Sequence, residues 1–177
     1  VVLWEHEPQH QSRVRRQIVG FYESCCGDDE LNVADMVQTS AKCREEMQSD
    51  PSEDQCENDL CVGRKNGAVD EEGHLTKGFA KYMPRMYPEY LTALVQKIAL
   101  LCVDHLNKQF EVKIEKGKCF PAFLTGVACV KISIELVCPE KFKIQSYQCD
   151  QFRELLNEHV KSLKQNKKTT SVKIKLT

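Results

Sequence analysis

The ten cysteines of this 177-residue chain are the residues whose chemistry the sequence defines most clearly. None stands in a Cys-x-x-Cys spacing, which metal sites and redox-active thiols favour. The tightest pairs are the adjacent Cys25 and Cys26, and Cys56 and Cys61 with four residues between them. An even set without metal spacing is typical of disulfides formed in an oxidising compartment, so we predict a secreted protein. The residues predicted to form disulfides are Cys25, Cys26, Cys43, Cys56, Cys61, Cys102, Cys119, Cys129, Cys138 and Cys149.

Residues of other types give no catalytic constellation. The Gly-x-Ser-x-Gly turn of many hydrolases is absent. Residues 70 to 73 resemble part of a calcium loop but lack the alternating acidic ligands and closing glutamate of an EF-hand. We therefore predict no enzyme activity, no metal and no cofactor. His105 and His159 are interpreted as ordinary interior or rim histidines; the alternative is a pH trigger for ligand release, because histidine titrates near neutral pH.

Apolar side chains near the middle of the chain could form a binding pocket. Aromatic residues and methionines flank the predicted central helix, at about residues 89 to 107, and such a group suits an adaptable apolar pocket. Any single member could equally be ordinary core. Tyr87 or Tyr90 could also offer a hydroxyl group to a ligand. The predicted ligand-binding residues are Tyr87, Tyr90, Leu91, Leu94, Val95, Ile98 and Phe123.

Charge and length limit the class of protein. The 25 basic and 26 acidic residues give a net charge of −1, so no nucleic-acid partner is predicted. No apolar run reaches the roughly 18 to 20 residues that span a bilayer. No leader peptide is visible, as expected of a mature secreted chain. The length suits one domain with a substantial core.

Apolar residues at three- and four-residue steps predict helices along most of the chain. The longest predicted helix covers about residues 89 to 107, starts after Pro88 and is apolar on two sides, which indicates a central position. Asp150 is predicted to cap the last helix. The other predicted helices begin near Ser12, Val33, Cys56, Leu75 and Phe120.

Two stretches have the alternation of β-strands. Residues 130 to 136 alternate and are rich in β-branched side chains, which favours a strand, although the cysteines at both ends could hold a helix. Both structures stay open there. Residues 171 to 177 follow a lysine-rich linker at 164 to 170 and alternate like an edge strand that could pair elsewhere.

Two groups of residues resemble a known family. Cys56-x4-Cys61, followed by the stretch from Arg64 to Leu75, is similar to the third-helix region of insect odorant-binding proteins, the pheromone- and general odorant-binding family. Cys129-x8-Cys138 resembles the final cysteine spacing of that family. Residues 139 and 149, a proline and a further cysteine, resemble the mark of its plus-C subclass. The close pair has four intervening residues where the family usually has three.

The resemblance implies an all-α fold: a disulfide-stapled bundle of six or more helices around an apolar cavity, with a C-terminal extension. It divides the chain into an N-terminal arm at 1–11, a helical domain at 12–138, and a plus-C-type extension at 139–177 packed on the same domain. Carried over from the family, the pairing is Cys26 (or Cys25) with Cys61, Cys56 with Cys129, Cys102 with Cys138, and Cys119 with Cys149.

The function implied by the resemblance is an extracellular carrier of small hydrophobic, odorant-like molecules that performs no reaction. Its partners would be a volatile ligand and a membrane chemoreceptor. The protein would be a monomer or a homodimer, the latter by exchange of a terminal segment. The main alternative is a secreted interaction or defence module that binds a macromolecule; a weaker one is a saposin-like protein that contacts lipid.

Overall fold

The computed structural model describes residues 23–28, 30–47, 55–113 and 119–174. At 111–113 and 163–174 it describes the helical backbone but not the side chains. These residues contain six α-helices. The helices are α1 (Ala34–Met47), α2 (Gln55–Lys65), α3 (Lys77–Tyr82), α4 (Thr92–Lys113), α5 (Ala122–Val137) and α6 (Tyr147–Ile174). Short 3-10 turns cover Met83–Met86, Glu89–Leu91 and Glu140–Phe142. These ranges contain isolated β-bridges and no strand, which confirms the all-α, disulfide-stapled class.

Local chemistry places the helix ends. Gly67, at φ +65°, adopts the left-handed conformation that follows α2, as Asn66-Gly67 predicts. The Thr76 hydroxyl accepts the N–H of Gly78 at 2.9 Å and caps α3. Ser146 does the same for α6, since its hydroxyl accepts the N–H of Cys149 at 3.1 Å. The prediction that Asp150 caps this helix is therefore wrong.

The core lies where α4 and α5 pack against each other and against α2 and α3. Phe123 is fully buried at its centre, with its ring edge-on to Phe79 and Tyr82 at centroid distances of 6.1 and 5.5 Å. α1 packs on α2, and α6 contacts α5. The arm at 1–11 and most of the helix predicted from residue 12 lie outside the described residues. That helix is predicted to run through Cys25, but residues 23–28 form isolated β-bridges and bends instead.

One alternative that the sequence left open is decided, and two expectations about helices and strands need correction. Residues 130–136 lie inside α5, because this stretch is packed on the core and tied down through Cys129, which overrides its strand propensity. The predicted linker and edge strand after residue 163 are helical through Ile174. α6, with 28 residues, is therefore longer than the central helix, α4, which begins at Thr92 after a separate 3-10 turn that follows Pro88.

All ten cysteines lie in five disulfides. Three of the bonds, Cys43–Cys61, Cys56–Cys119 and Cys102–Cys129, interlock along the chain as first to third, second to fifth and fourth to sixth. The other two bind the adjacent Cys25 and Cys26 to Cys149 and Cys138. The three bonds staple the helical core, and the two others tie the N-terminal strap, residues 24–27, to the C-terminal segment.

The pairing implied by the resemblance is wrong in every bond: Cys26 or Cys25 with Cys61, Cys56 with Cys129, Cys102 with Cys138, and Cys119 with Cys149. The interlocking order is present, but it starts at Cys43 and ends at Cys129. The physical reason is position: Cys43 on α1 faces Cys61 on α2, two helices in direct contact. Cys138, at the end of α5, meets the strap instead of α4.

Candidate functional site

Five of the seven predicted pocket residues lie together in the main apolar core. Leu94 is half-buried and packs against the same cluster. Tyr90 is the exception, because its side chain is 54% exposed and its ring stacks on Phe142 at 4.4 Å between centroids. The buried five are Tyr87, Leu91, Val95, Ile98 and Phe123.

One end of this core is tightly packed. A Cβ atom added at Gly126 would lie 2.8 Å from Cζ of Phe79, and one added at Gly63 would overlap the side chain of Val69. Helices α2, α3 and α5 approach each other closely here because the two positions carry no side chain. A ligand would have to displace aromatic rings that have no space to move.

The other end is lined by flexible side chains. Met83 and Met86, in the 3-10 turn after α3, are buried beside α4. Methionine has three rotatable bonds and a polarisable thioether, so it repacks around irregular shapes more easily than branched or aromatic residues do. Leu91 closes this end, where its Cδ1 lies against Gly27 of the strap. An apolar guest is accommodated more easily here than near Gly126.

A buried polar cluster lies where α5 meets the strap. Glu135, on α5, is 3% exposed, and its Oε1 accepts the backbone N–H of Cys25 at 2.9 Å. The Ser24 hydroxyl lies 3.4 Å from the same oxygen and also donates to the carbonyl of Cys26 at 3.0 Å. Oε2 of Glu135 is buried without a hydrogen-bond partner. Such an orphaned acceptor is unusual in a native interior, because a buried polar atom without a partner is unfavourable.

The groups around Glu135 shift one another's protonation. Burial raises the pKa of Glu135, against the opposing effects of the Cys25 N–H and the Lys131 charge. Burial lowers the pKa of Lys131 to about 8, although Glu135 and Glu23 counteract that change. Burial raises the pKa of the Tyr87 phenol, and the charge of Glu135 adds to that rise.

Asp59 is a second buried carboxylate that the sequence did not single out. It sits on α2, is 2% exposed, and accepts the N–H groups of Phe123 and Leu124 in the first turn of α5. Burial raises the pKa of Asp59 to about 6, and the two hydrogen bonds oppose this rise without cancelling it. The sequence feature that could have indicated this burial is the position of Asp59 between Cys56 and Cys61, because both cysteines form disulfides that hold α2 against other parts of the chain.

None of the histidines in the described ranges belongs to the candidate binding site. His105 and His159 are both exposed, and His105 contacts Gln109 on the same helix. His6 and His10 have the His-Glu-x-x-His spacing of a zinc motif, which the prediction of no metal site did not take into account. That motif works on a helix, and Pro8 between the histidines disfavours one. These residues lie outside the described ranges, within which no three potential metal ligands come together.

The surface of the described residues has a polar groove along α6 and an apolar stripe on α5. An open groove of about 380 Å³ runs along α6 and is lined by polar side chains, among them Asp150, Arg153 and Lys161. The outer face of α5 exposes Leu124, Ile132 and Leu136 at multiples of four residues. No helix in the described ranges is long and apolar enough to cross a membrane.

The chain is similar to a general odorant-binding protein. The relative, General odorant-binding protein 68 of Anopheles gambiae, is 22% identical over 150 residues, which covers 80% of this chain and 71% of the relative. No family model matches the chain. No solved structure matches it. The likeness supports an insect odorant-binding-like family, and five disulfides are in keeping with it.

Proposed function

We propose that this protein is an extracellular carrier that binds one small hydrophobic, odorant-like molecule and performs no reaction. The ligand would lie between α4, α5 and the turn at Met83–Met86. The observation that carries the proposal is the buried apolar surface at this end, where Leu91 and Val95 are fully buried beside methionines. The similarity to a general odorant-binding protein supports the same reading.

Binding at this place would proceed by displacement of side chains. The five buried pocket residues belong to one packed apolar cluster, so a ligand must move the side chain of Met83 or Met86 to enter it. The five disulfides make such repacking tolerable. Each stabilises the fold by about 2 to 4 kcal/mol in a typical protein, chiefly by restricting the unfolded chain. They also favour an oxidising, extracellular compartment.

The test is a titration with the fluorescent apolar probe N-phenyl-1-naphthylamine, followed by displacement with volatile and fatty ligands. Saturable one-site binding is the expected result. Ile98→Phe should weaken binding by about tenfold, because extra volume in a packed core displaces its neighbours. Leu101→Phe is the matched control on the same helix, since Leu101 is 61% exposed. Absence of probe binding by the fully oxidised protein would overturn the proposal.

One observation favours the alternative, a secreted module that binds a macromolecule. The apolar stripe on the outer face of α5 is a surface that a partner could cover. A chemoreceptor, the plus-C assignment, the three-part division of the chain and a homodimer formed by exchange of a terminal segment stay predictions. Sedimentation of the oxidised protein tests the homodimer directly.

A further inference from the structure

We propose that Oε2 of Glu135 and the hydroxyl of Tyr87 form the polar end of the ligand site and select ligands that carry a hydroxyl group. This inference rests on the proposed carrier function and names the ligand class. The ligand hydroxyl would donate to Oε2 of Glu135 and accept from the Tyr87 phenol, while its apolar chain would extend toward Met83 and Met86.

The first support is the unequal use of the two carboxylate oxygens. Oε1 of Glu135 holds the strap through the Cys25 N–H at 2.9 Å, so this oxygen fixes the position of the side chain. Oε2 is buried and has no donor. A buried acceptor without a donor is destabilising, and a ligand donor that pairs with it removes that penalty. The carboxyl group is thus held in place by one oxygen and available through the other.

The second support is the position of Glu135 in the fold. Ile134, the preceding residue, is fully buried in the main core, so α5 is covered on more than one side here. Tyr87 lies between the two 3-10 turns that lead from α3 to α4, next to Met86 and close to Leu91 in sequence. The backbone N–H of Asn32 reaches the carbonyl of Met86 at 3.0 Å and brings the N-terminal segment to the same place. Pro88, the residue after Tyr87, and Leu91 both lie against Gly27, two residues after the Cys25 N–H that Glu135 binds, so the strap brings the polar and the apolar groups to one end of the bundle.

The charged residues near the site affect which ligand group binds best there. A ligand ammonium would be a second cation beside Lys131, which lies near Glu135 and lowers its pKa. A neutral hydroxyl carries no such repulsion and supplies both a donor and an acceptor. An ether of the same size can accept from Tyr87 but has nothing to donate to Glu135. The site should therefore prefer alcohols over ethers and over amines.

The experiment compares decan-1-ol with 1-methoxynonane, which has the same number of heavy atoms, as competitors of N-phenyl-1-naphthylamine. The wild-type protein should bind the alcohol about tenfold more tightly, the effect of one buried hydrogen bond. Glu135→Gln replaces Oε2 with a donor and should bring the ratio close to one. Glu140→Gln, an exposed carboxylate in the next turn, is the matched control and should leave the ratio unchanged.

The outcomes separate the two proposals. Tyr87→Phe should weaken alcohol and ether equally, because both accept from the phenol, and so keep their ratio. If the probe binds but wild-type protein does not distinguish alcohol from ether, the hydroxyl site is wrong and the carrier stands. If the probe does not bind at all, both proposals fail. Should Glu135→Gln fail to fold, the wild-type ratio and the Tyr87→Phe result still decide.

Discussion

Asp59 on α2 caps α5 at Phe123, a residue 64 positions away in the chain, through a hydrogen bond of 3.0 Å from the Phe123 N–H. Its other oxygen accepts the N–H of Leu124 at 2.8 Å. The residue at the normal capping position is Pro121, which has no side-chain acceptor. The cap of the most apolar helix is therefore supplied by another helix, and it orients Phe123 at the centre of the core.

Replacing this cap should destabilise the fold. Asp59→Ala leaves two N–H groups of α5 without acceptors in a buried place, and we expect a loss of about 1 to 3 kcal/mol in the free energy of unfolding. Chemical denaturation followed by circular dichroism measures it. Asp104→Ala, which removes an exposed carboxylate from α4, is the control. Equal effects of the two substitutions would show that Asp59 is not a cap.

The same residue predicts a pH dependence of stability. The pKa of Asp59 rises from 3.8 to about 6 on folding, so the native state binds the proton more tightly than the unfolded chain does. The contribution of Asp59 is therefore most favourable below about pH 4, and it is lost as the pH rises through 6. The difference in unfolding free energy between wild type and Asp59→Asn should fall across this window. A rise toward pH 6 would contradict the assignment.

The sequence predicts the helices well where apolar periodicity and local capping agree. The stripe from Val33 and the Asn66-Gly67 stop place α1 and the end of α2 close to their observed bounds. Residues 130–136 show the limit of such reasoning. Their alternation is that of a strand, but α5 is buried on several sides, and a helix covered in this way needs no single apolar stripe.

The disulfides show a different limit. The family pattern predicts the interlocking order correctly but includes Cys26 (or Cys25) and Cys138 where the structure has Cys43 and Cys119, because Cys129-x8-Cys138 resembles the last spacing of the family. Cys119-x9-Cys129 holds that place in the structure. Two neighbouring cysteine spacings of similar length do not show which of them belongs to the interlocked set, unless it is known which helices are in contact. That knowledge comes from packing and is absent from the spacing.

Thiol counting checks the observed pairing. The double variant Cys43→Ser/Cys61→Ser removes one complete bond and should show no free thiol after denaturation under alkylating conditions. Cys26→Ser/Cys61→Ser, which removes a pair implied by the resemblance, should leave Cys43 and Cys138 as two free thiols. The reverse result, with thiols only in the first variant, would contradict the structure.

The tightly packed end of the core predicts that Gly126→Ala lowers the stability of the protein, although the same substitution is stabilising in most helices. In most helices Gly→Ala is stabilising by about 0.5 to 1 kcal/mol. At Gly126 the new methyl group would lie 2.8 Å from the buried Phe79 ring and 3.0 Å from Leu75, so we expect a loss of about 1 to 3 kcal/mol. Thermal unfolding measures the change, with Ser133→Ala on the same helix as the control. A variant more stable than wild type would show that α3 and α5 have room to separate.

The candidate site is predictable in its apolar part and not in its polar part. Helical periodicity in the predicted central helix identifies Leu91, Val95 and Ile98, which the structure buries together at the start of α4 and in the 3-10 turn before it. Asp59 and Glu135 escape such reasoning, because charged residues are usually solvated and a pattern cannot reveal that one is enclosed. The prediction that Tyr90 lines the pocket is wrong for a related reason: adjacent residues in a helical turn point about 100° to 120° apart, so Leu91 is buried while Tyr90 faces outward.

The linkage of Cys25 and Cys26 to Cys149 and Cys138 has a consequence for the integrity of the polypeptide. A protease that cuts once within 48–54 leaves two fragments joined by three disulfides, those of Cys25, Cys26 and Cys43. A cut within 114–118 leaves four bonds across the break, because Cys56–Cys119 and Cys102–Cys129 also span it. A nicked molecule therefore remains one covalent body that runs as a single band until it is reduced.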